Sequence, residues 1–443
     1  MIDNTSDSPA IPHFPKETDE GLSMQTAPIR YILQAHETHG GVCKIDFSDR
    51  QFVLLTGEDA NRFVWSSNDL WSYRESRTAF LSELGEPHVT SSDGEKHRAK
   101  RKLINKSFSV GSNARFLPKI AEVVQVYLES AAASNQTIAL RQWLPRVITR
   151  FNLETVSQAK ISESEFEVLV RWQLYFIAGV ALSPQRQEER YSDPQYVKDK
   201  EEAFEIMGRI VDERLADSHP PDDNFQTVIE AREKAGMPGS REELVNELYY
   251  VLVAGIQNTT QFVITMLRDL YGPERWVDWL REEVDLWDGK YSMAIAKMER
   301  LKAFVFEIQR ARPQVLTLPL LPKDDFQFGG YTIPAKTLCI YCPTFMHFDP
   351  ANFSEPEVFD PNRFLEGGSF SAKHNGFFGG GSHVCVGRNV TLLQAPLIVA
   401  LILKNFELKG MPQPDFNLIE QSGGEAQTPC EVKIEPRSPV LSA

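Results

Sequence analysis

Cysteine is scarce in this chain of 443 residues: five, at 43, 339, 342, 385 and 430. Their odd number and scatter exclude a disulfide framework and point to a reducing compartment. Basic residues are also in deficit. Against 61 acidic side chains stand 47 Lys and Arg, a formal net charge of -14, which argues against general affinity for nucleic acid. Long apolar runs are missing. The stretch APLIVALIL, from Ala395 to Leu403, is far too short to span a bilayer. The polar, proline-bearing start has neither the apolar segment of a signal peptide nor a membrane anchor. A soluble cytoplasmic protein is expected. No internal repeat is present.

Ordinary apolar content (42%) and charge (24%) suit a globular protein with a large core. Residues 1–25 read as a loosely attached arm, and residues 26–443 as a single domain. The alternating segment Val42–Gly57 suits a β-hairpin. Helical patterns then dominate from about residue 95 to 310. Ser240-Arg-Glu-Glu243 fits a capping box. It opens a helical pattern close to thirty residues long, ~45 Å at 1.5 Å per residue. Its flanks are apolar, but Gln257, Asn258, Thr259, Thr260 and Gln261 interrupt its middle. A second helix ends before Pro313, short strands follow, and a last helix spans about 387 to 406, where Pro396 should kink it. The whole is mainly α with a minor β part.

The strongest chemical signal is Phe378-Gly-Gly-Gly-Ser-His-Val-Cys-Val-Gly387. A glycine-rich loop delivers one cysteine to a helix N-terminus. Free N–H groups and partial positive charge there favour a thiolate and lower the cysteine pKa. Glycines at 379–381 and 387 allow the backbone to approach a flat ligand. One thiolate with room above it suits an axial bond to haem iron. A buried free cysteine beside a flexible turn is the bland alternative. A phosphate loop lacks the required Gly-Lys-Ser/Thr. A zinc pair at Cys339 and Cys342 has no second pair to answer it. His97 and Arg101, four apart, share one helix face and can grip anionic groups, or form part of a solvated charge run. Glu307 and Arg310, three apart, can pair on one face.

Taken in order and spacing, these segments resemble the cytochrome P450 family of haem-thiolate oxygenases. The cysteine loop matches Phe-Gly-x-Gly-x-His-x-Cys-x-Gly through Phe378, Gly379, Gly381, His383, Cys385 and Gly387. Glu307-Ile-Gln-Arg310 matches Glu-x-x-Arg, and Arg363 in Pro361-Asn-Arg363-Phe364 would complete its triad. Asp93-Gly-Glu-Lys-His97 with Arg101 resembles the helix that holds haem propionates. The resemblance implies a triangular α-rich haem domain and haem b, its iron ligated by Cys385. His97, Arg101, His383, Phe378, Gly381 and Gly387 would form the cofactor site. The implied activity is dioxygen activation to hydroxylate or dehydrogenate a small apolar or aromatic molecule, in secondary metabolism.

The long helix departs from the family. Its Ala-Gly-x-Glu/Asp-Thr pattern appears here as Ala254-Gly255-Ile256-Gln257-Asn258, followed by Thr259. An amide neither gains nor loses a proton near neutral pH. Asn258 could hydrogen-bond to oxygen or substrate, and Thr259 could replace the alcohol if the helix is bulged. Gln257, Asn258 and Thr259 are the catalytic candidates. Radical coupling, hydroperoxide rearrangement or peroxygenation stay open, as does a haem sensor without turnover. Leu320 stands where the family often has a propionate-binding Arg, and Lys336 where it has Gly. Gln314–Leu321, Phe80, Leu81 and Leu84 are expected to line the pocket. No iron–sulfur or flavin module is fused, so a separate ferredoxin or reductase is implied. Lys100, Arg101, Lys102, Lys106 and Arg388 could form its basic docking patch.

Overall fold

The computed structural model describes residues 9–47, 50–180, 182–272, 276–289, 295–365, 375–412 and 430–437. Helices dominate. Those that frame the site are α1 (Gly94–Ile104), α2 (Leu117–Ser134), α3 (Leu140–Asn152), α4 (Glu163–Gly179), α5 (Pro194–Ala216), α6 (Arg241–Leu252), α7 (Ile256–Leu270), α8 (Glu299–Ala311) and α9 (Arg388–Asn405). Local chemistry fixes several starts. Ser162 with Glu165 and Ser240 with Glu243 form complete capping boxes at α4 and α6, satisfying N–H groups that the helix itself leaves unpaired.

The β part is small. Strands β1 (Val42–Phe47) and β2 (Arg50–Leu55) pair antiparallel, as the alternation predicts. β3 (Thr137–Ala139) lies far along the chain and pairs elsewhere. β4 (Leu318–Leu320), β5 (Phe326–Phe328), β6 (Tyr331–Ile333) and β7 (Cys339–Tyr341) follow α8. β8 (Phe406–Lys409) and β9 (Glu431–Pro436) close the described chain. The main sheet runs β1-β2-β7-β4, and a second runs β3-β9-β8. β2 and β7 are parallel, with Val53 opposite Cys339.

The main core is helical, and α9 crosses it. Every residue from Leu393 to Leu403 is buried. A helix apolar all round belongs in an interior, which is where APLIVALIL lies. α9 runs on through Pro396 without interruption. No helix among the described residues is long and apolar enough to cross a membrane.

Two expectations are corrected. Residues 12–24 are not a loose arm. Phe14 N–H donates to the Lys44 carbonyl at 2.8 Å and Lys44 N–H to that of Pro12 at 2.7 Å, while Phe14 and Met24 are buried against Tyr31 and Ile45. Apolar burial anchors a segment whose composition reads as polar. The long helix is also not continuous. α6 stops at Leu252 and α7 starts at Ile256, with a turn over 253–255.

Candidate functional site

The cysteine loop is held from outside before it reaches α9. Cys385 N–H donates to Phe378 O at 2.9 Å, and Gly379 N–H to Gly376 O at 2.9 Å. Asn68 Oδ1 accepts from both N–H (3.3 Å) and Oγ (2.9 Å) of Ser382. Gly381 has φ +63°, and a Cβ there would sit 2.6 Å from Trp65 O, so the loop needs glycine at that point. Gly376, which sequence reasoning missed, is equally confined: a Cβ would lie 1.7 Å from Pro343 O. Phe377 packs on Phe262 of α7, ring centroids 5.5 Å apart.

Cys385 keeps an exposed surface. Its thiol behaves differently from the sequence expectation. Burial pushes its pKa up, and this outweighs the N–H groups of Gly387 and Arg388 and the charges of Arg101 and Arg388, which pull it down. The helix N-terminus acts in the expected direction but does not dominate.

Beside the loop lies a cluster from three parts of the chain. The rings of His97 and His383 stack at 3.8 Å, and Tyr73 stacks on the other face of His383 at 3.5 Å. Asp93 places Tyr73 by accepting from Ser72 Oγ at 2.8 Å and from the N–H groups of Tyr73 (2.8 Å) and Arg74 (3.2 Å). Arg77 stands over the Tyr73 ring, 5.1 Å from its centroid. Arg101 donates to Val384 O at 2.8 Å. Burial lowers the His97 pKa to about 4, with Arg101, Arg77 and Arg98 adding to the shift. Burial and then His97, Arg77 and Arg101 lower that of His383 to about 2. Both imidazoles are therefore neutral at pH 7, and the charge is carried by Arg77 and Arg101. Neither guanidinium has a carboxylate partner among the described residues. Arg77 and Tyr73 carry no sequence signal; the only hint is that Leu320 leaves a cation missing.

Across the loop, the turn between α6 and α7 bares part of the helix. Gly255 and Asn258 are exposed, three residues apart, so they share one face. A cleft bounded by Phe108, Tyr250, Gly255, Thr259, Gly387 and Thr391 separates α7 from the start of α9. Thr259 is buried, its hydroxyl 3.4 Å from that of Thr391. Gln257 Oε1 and Thr260 Oγ1 are buried with no hydrogen-bond partner, while Gln261 Oε1 accepts from Arg141 at 2.7 Å. The five polar residues do not satisfy one another.

A sequence model of the family described as "Cytochrome P450" matches residues 21–435. The chain belongs to the cytochrome P450 family. A protein of Synechocystis sp. named cytochrome P450 120 is 24% identical over 410 residues, covering 89% of each chain. The cyclooctat-9-en-7-ol 5-monooxygenase of Streptomyces melanosporofaciens is 23% identical over 73% of each. The solved structure of retinoic acid-bound cyanobacterial CYP120A1 superposes with a TM-score of 0.75 at 21% identity, covering 91% of this chain and 94% of that one. The chain is a P450 oxidoreductase with the P450 fold.

P450 enzymes carry haem on a cysteine thiolate, and the residues here fit that group. An exposed thiol stands beside two guanidiniums without anionic partners, and the buried Nδ1 of His97 has no protein partner. Nothing lies within 4 Å of a Cβ built on Gly255, and at Gly387 only Cys385 Sγ does, at 3.8 Å. The protein itself does not require these two positions to be small.

The P450 brace behind the loop is present. Arg310 donates to both carboxylate oxygens of Glu307 at 2.7 and 2.8 Å, both side chains are fully buried, and Arg363 Nε lies 3.2 Å from Glu307. Arg310 also donates to His347 O at 3.1 Å, and His347 Nε2 accepts from Gly376 N–H at 3.3 Å. The pair thus reaches the cysteine loop through His347.

Other expectations need revision. Leu316 and Leu320 are buried in the sheet clusters and Leu84 in the helical core, so they are taken up by packing. Phe80 is half-buried, against His88 and Phe176. Lys100 leaves the basic patch, because its Nζ donates to Glu86 O and Pro87 O at 2.9 and 2.7 Å. Arg101 turns inward to Val384.

Proposed function

We propose that Cys385 holds the iron of haem b and that the enzyme oxidises a small apolar or aromatic molecule, by hydroxylation or dehydrogenation. The observation that carries this reading is the meeting of an exposed thiol with Arg77, Arg101, His97 and His383 on one flank. Bound haem supplies the reductive splitting of dioxygen. The protein's part is positional. Arg77 and Arg101 offer two cations to the two carboxylates of the porphyrin edge, and the neutral histidines offer N–H groups. Phe378, Gly381 and Gly387 shape the loop, and Gly255 leaves the opposite face bare.

Asn258 is exposed next to the cleft-lining Thr259, and its amide is able to donate to an oxygen or accept from one. Thr259 faces Thr391 and is less suited to act as the missing alcohol. Phe80, His88, Phe176, Tyr249 and Tyr250 form contacting aromatic pairs, and Tyr250 among them lines the cleft, which favours a flat apolar substrate. The relative from S. melanosporofaciens is named for a cyclic alkenol, consistent with secondary metabolism. Electrons would come from a separate ferredoxin or reductase. Exposed Lys102, Lys106 and Arg388 remain for its docking. The reading includes a soluble cytoplasmic enzyme.

A second reading keeps the same haem but uses peroxide, a hydroperoxide or a radical pair. It is favoured by Gln257, whose unpartnered Oε1 cannot supply protons. Product analysis of ligands found by spectral binding tests both. Turnover with reductase and NAD(P)H supports the first reading, turnover only with peroxide supports the second, and no conversion under any oxidant contradicts both.

A further inference from the structure

The break between α6 and α7 creates a specific debt in backbone hydrogen bonding. In an uninterrupted α-helix the Ile256 N–H would donate to Leu252 O. Here it donates to Val253 O at 3.1 Å, a tighter 3₁₀-type closure, and Thr259 N–H resumes the helical pattern by donating to Gly255 O at 2.9 Å. The Leu252 carbonyl is left without its helical partner in the protein interior, where Leu252 is 1% exposed. A buried carbonyl needs a donor.

Asn152 supplies it. Its Nδ2 donates to Leu252 O at 2.9 Å, from the last residue of α3. The same amide is oriented from its other end, where Oδ1 accepts from Gln394 Nε2 of α9 at 3.5 Å. Asn152 is 7% exposed and Gln394 5%. Both line the cleft that also contains Gly255, Thr259 and Thr391. Immediately after Asn152 the chain forms a π-helical turn over Leu153–Ser157, a local widening that costs helix stability and recurs at functional positions. Three helices thus meet on one amide that must both donate and accept.

We propose that Asn152 is a positioning residue that holds the α6–α7 break open, and that Gln394 orients it. Asn152 touches no reacting atom. It satisfies the carbonyl that would otherwise recapture Ile256 N–H and zip 253–255 into a continuous helix. That closure would turn the 255–258 face, including Asn258, away from its present direction relative to α6. The functional weight of this clamp rests on the reading above, in which that face meets the oxidised substrate; the clamp itself does not.

Three variants of the full haem-loaded protein test it. Asn152→Asp keeps the shape but its carboxylate cannot donate, Asn152→Leu removes both functions, and Gln394→Leu removes only the orienting bond. Hydrogen exchange by mass spectrometry reads the amides of residues 254–256 directly. Exchange there is expected to slow about tenfold or more in the two Asn152 variants, and less in Gln394→Leu, with distant helices unchanged. Spectral titration with imidazole, a small iron ligand, should show several-fold weaker binding in the same order. Should Asn152→Leu fail to fold, Asn152→Asp and Gln394→Leu give the same reading. Unchanged exchange at 254–256 together with unchanged imidazole binding overturns the clamp. The carbon monoxide difference spectrum of the same samples reports thiolate ligation separately, so a failed haem assignment is not mistaken for a failed clamp.

Discussion

The imidazole of His97 lies flat on that of His383, planes 11° apart and centroids 3.8 Å apart. The contact joins α1 to the cysteine loop two residues before the proposed iron ligand. It also brings Arg101 of the same helix to Val384. With Tyr73 on the outer face, the stack forms a ladder along one edge of the site, and Arg77 stands over its end.

Arg77 is expected to be a haem-retention residue. It carries a charge that no carboxylate among the described residues neutralises, and a charge-assisted bond to a propionate is worth about 1.5–3 kcal/mol. Arg77→Ala should speed haem loss to an acceptor globin by about tenfold or more. Leu320→Ala, a change in the sheet core, should leave the rate near wild type. Equal rates for Arg77→Ala and wild type would remove Arg77 from the site.

The Glu307–Arg310 pair should be structural. Removing one partner strands a buried charge, and Glu307→Gln should destabilise the protein by about 3–5 kcal/mol in denaturant titration. Arg310→Met should do the same and also loosen His347, its link to the loop. A loss below about 1 kcal/mol would place the pair among exposed helix pairs of little weight.

Restoring the family's acid and alcohol tests the amides. In Gln257→Glu with Asn258→Thr, reductase-driven turnover should become better coupled, with less peroxide released per NAD(P)H consumed. A pH dependence absent from the wild type should appear, since a carboxyl titrates and an amide does not. Unaltered coupling and pH profile would show that positions 257 and 258 do not govern proton supply.

His88 should shape the acid side of the stability profile. Burial, helped by Lys100, lowers its pKa from 6.5 to about 3. Unfolded chains bind a proton there as pH falls below 6.5, while the folded protein does not until about pH 3. Stability should therefore fall with decreasing pH across that window, with a slope contribution approaching about 1.4 kcal/mol per pH unit. His88→Phe should flatten the slope, measured by urea titration from pH 7 to pH 4.5. An unchanged slope would mean that His88 is protonated in the folded state.

Much of this was legible in the residues themselves. The hairpin at 42–55, the capping box at Ser240 and the Glu307–Arg310–Arg363 triad follow from spacing or motif, because each depends on neighbours a few residues away or on a fixed pattern. The break at 253–255 was not, since it is sustained by Asn152 and Gln394, which no local periodicity connects to Leu252. Phe14 was hidden for the same reason: an apolar residue in a mostly polar stretch gains its anchor only once β1 is present. The thiol of Cys385 shows the limit of a correct local principle. The helix N-terminus does favour the thiolate, but the loss of hydration around the sulfur acts more strongly the other way.

Thiolate ligation is most directly read from the spectrum of the reduced, carbon monoxide-treated protein. The wild type should show the strongly red-shifted Soret band produced by a thiolate opposite carbon monoxide, and Cys385→Ala should lose it even in samples that retain porphyrin. A wild-type band at the unshifted position of histidine-ligated haem, or a red-shifted band that survives in Cys385→Ala, would contradict the assignment of iron to Cys385.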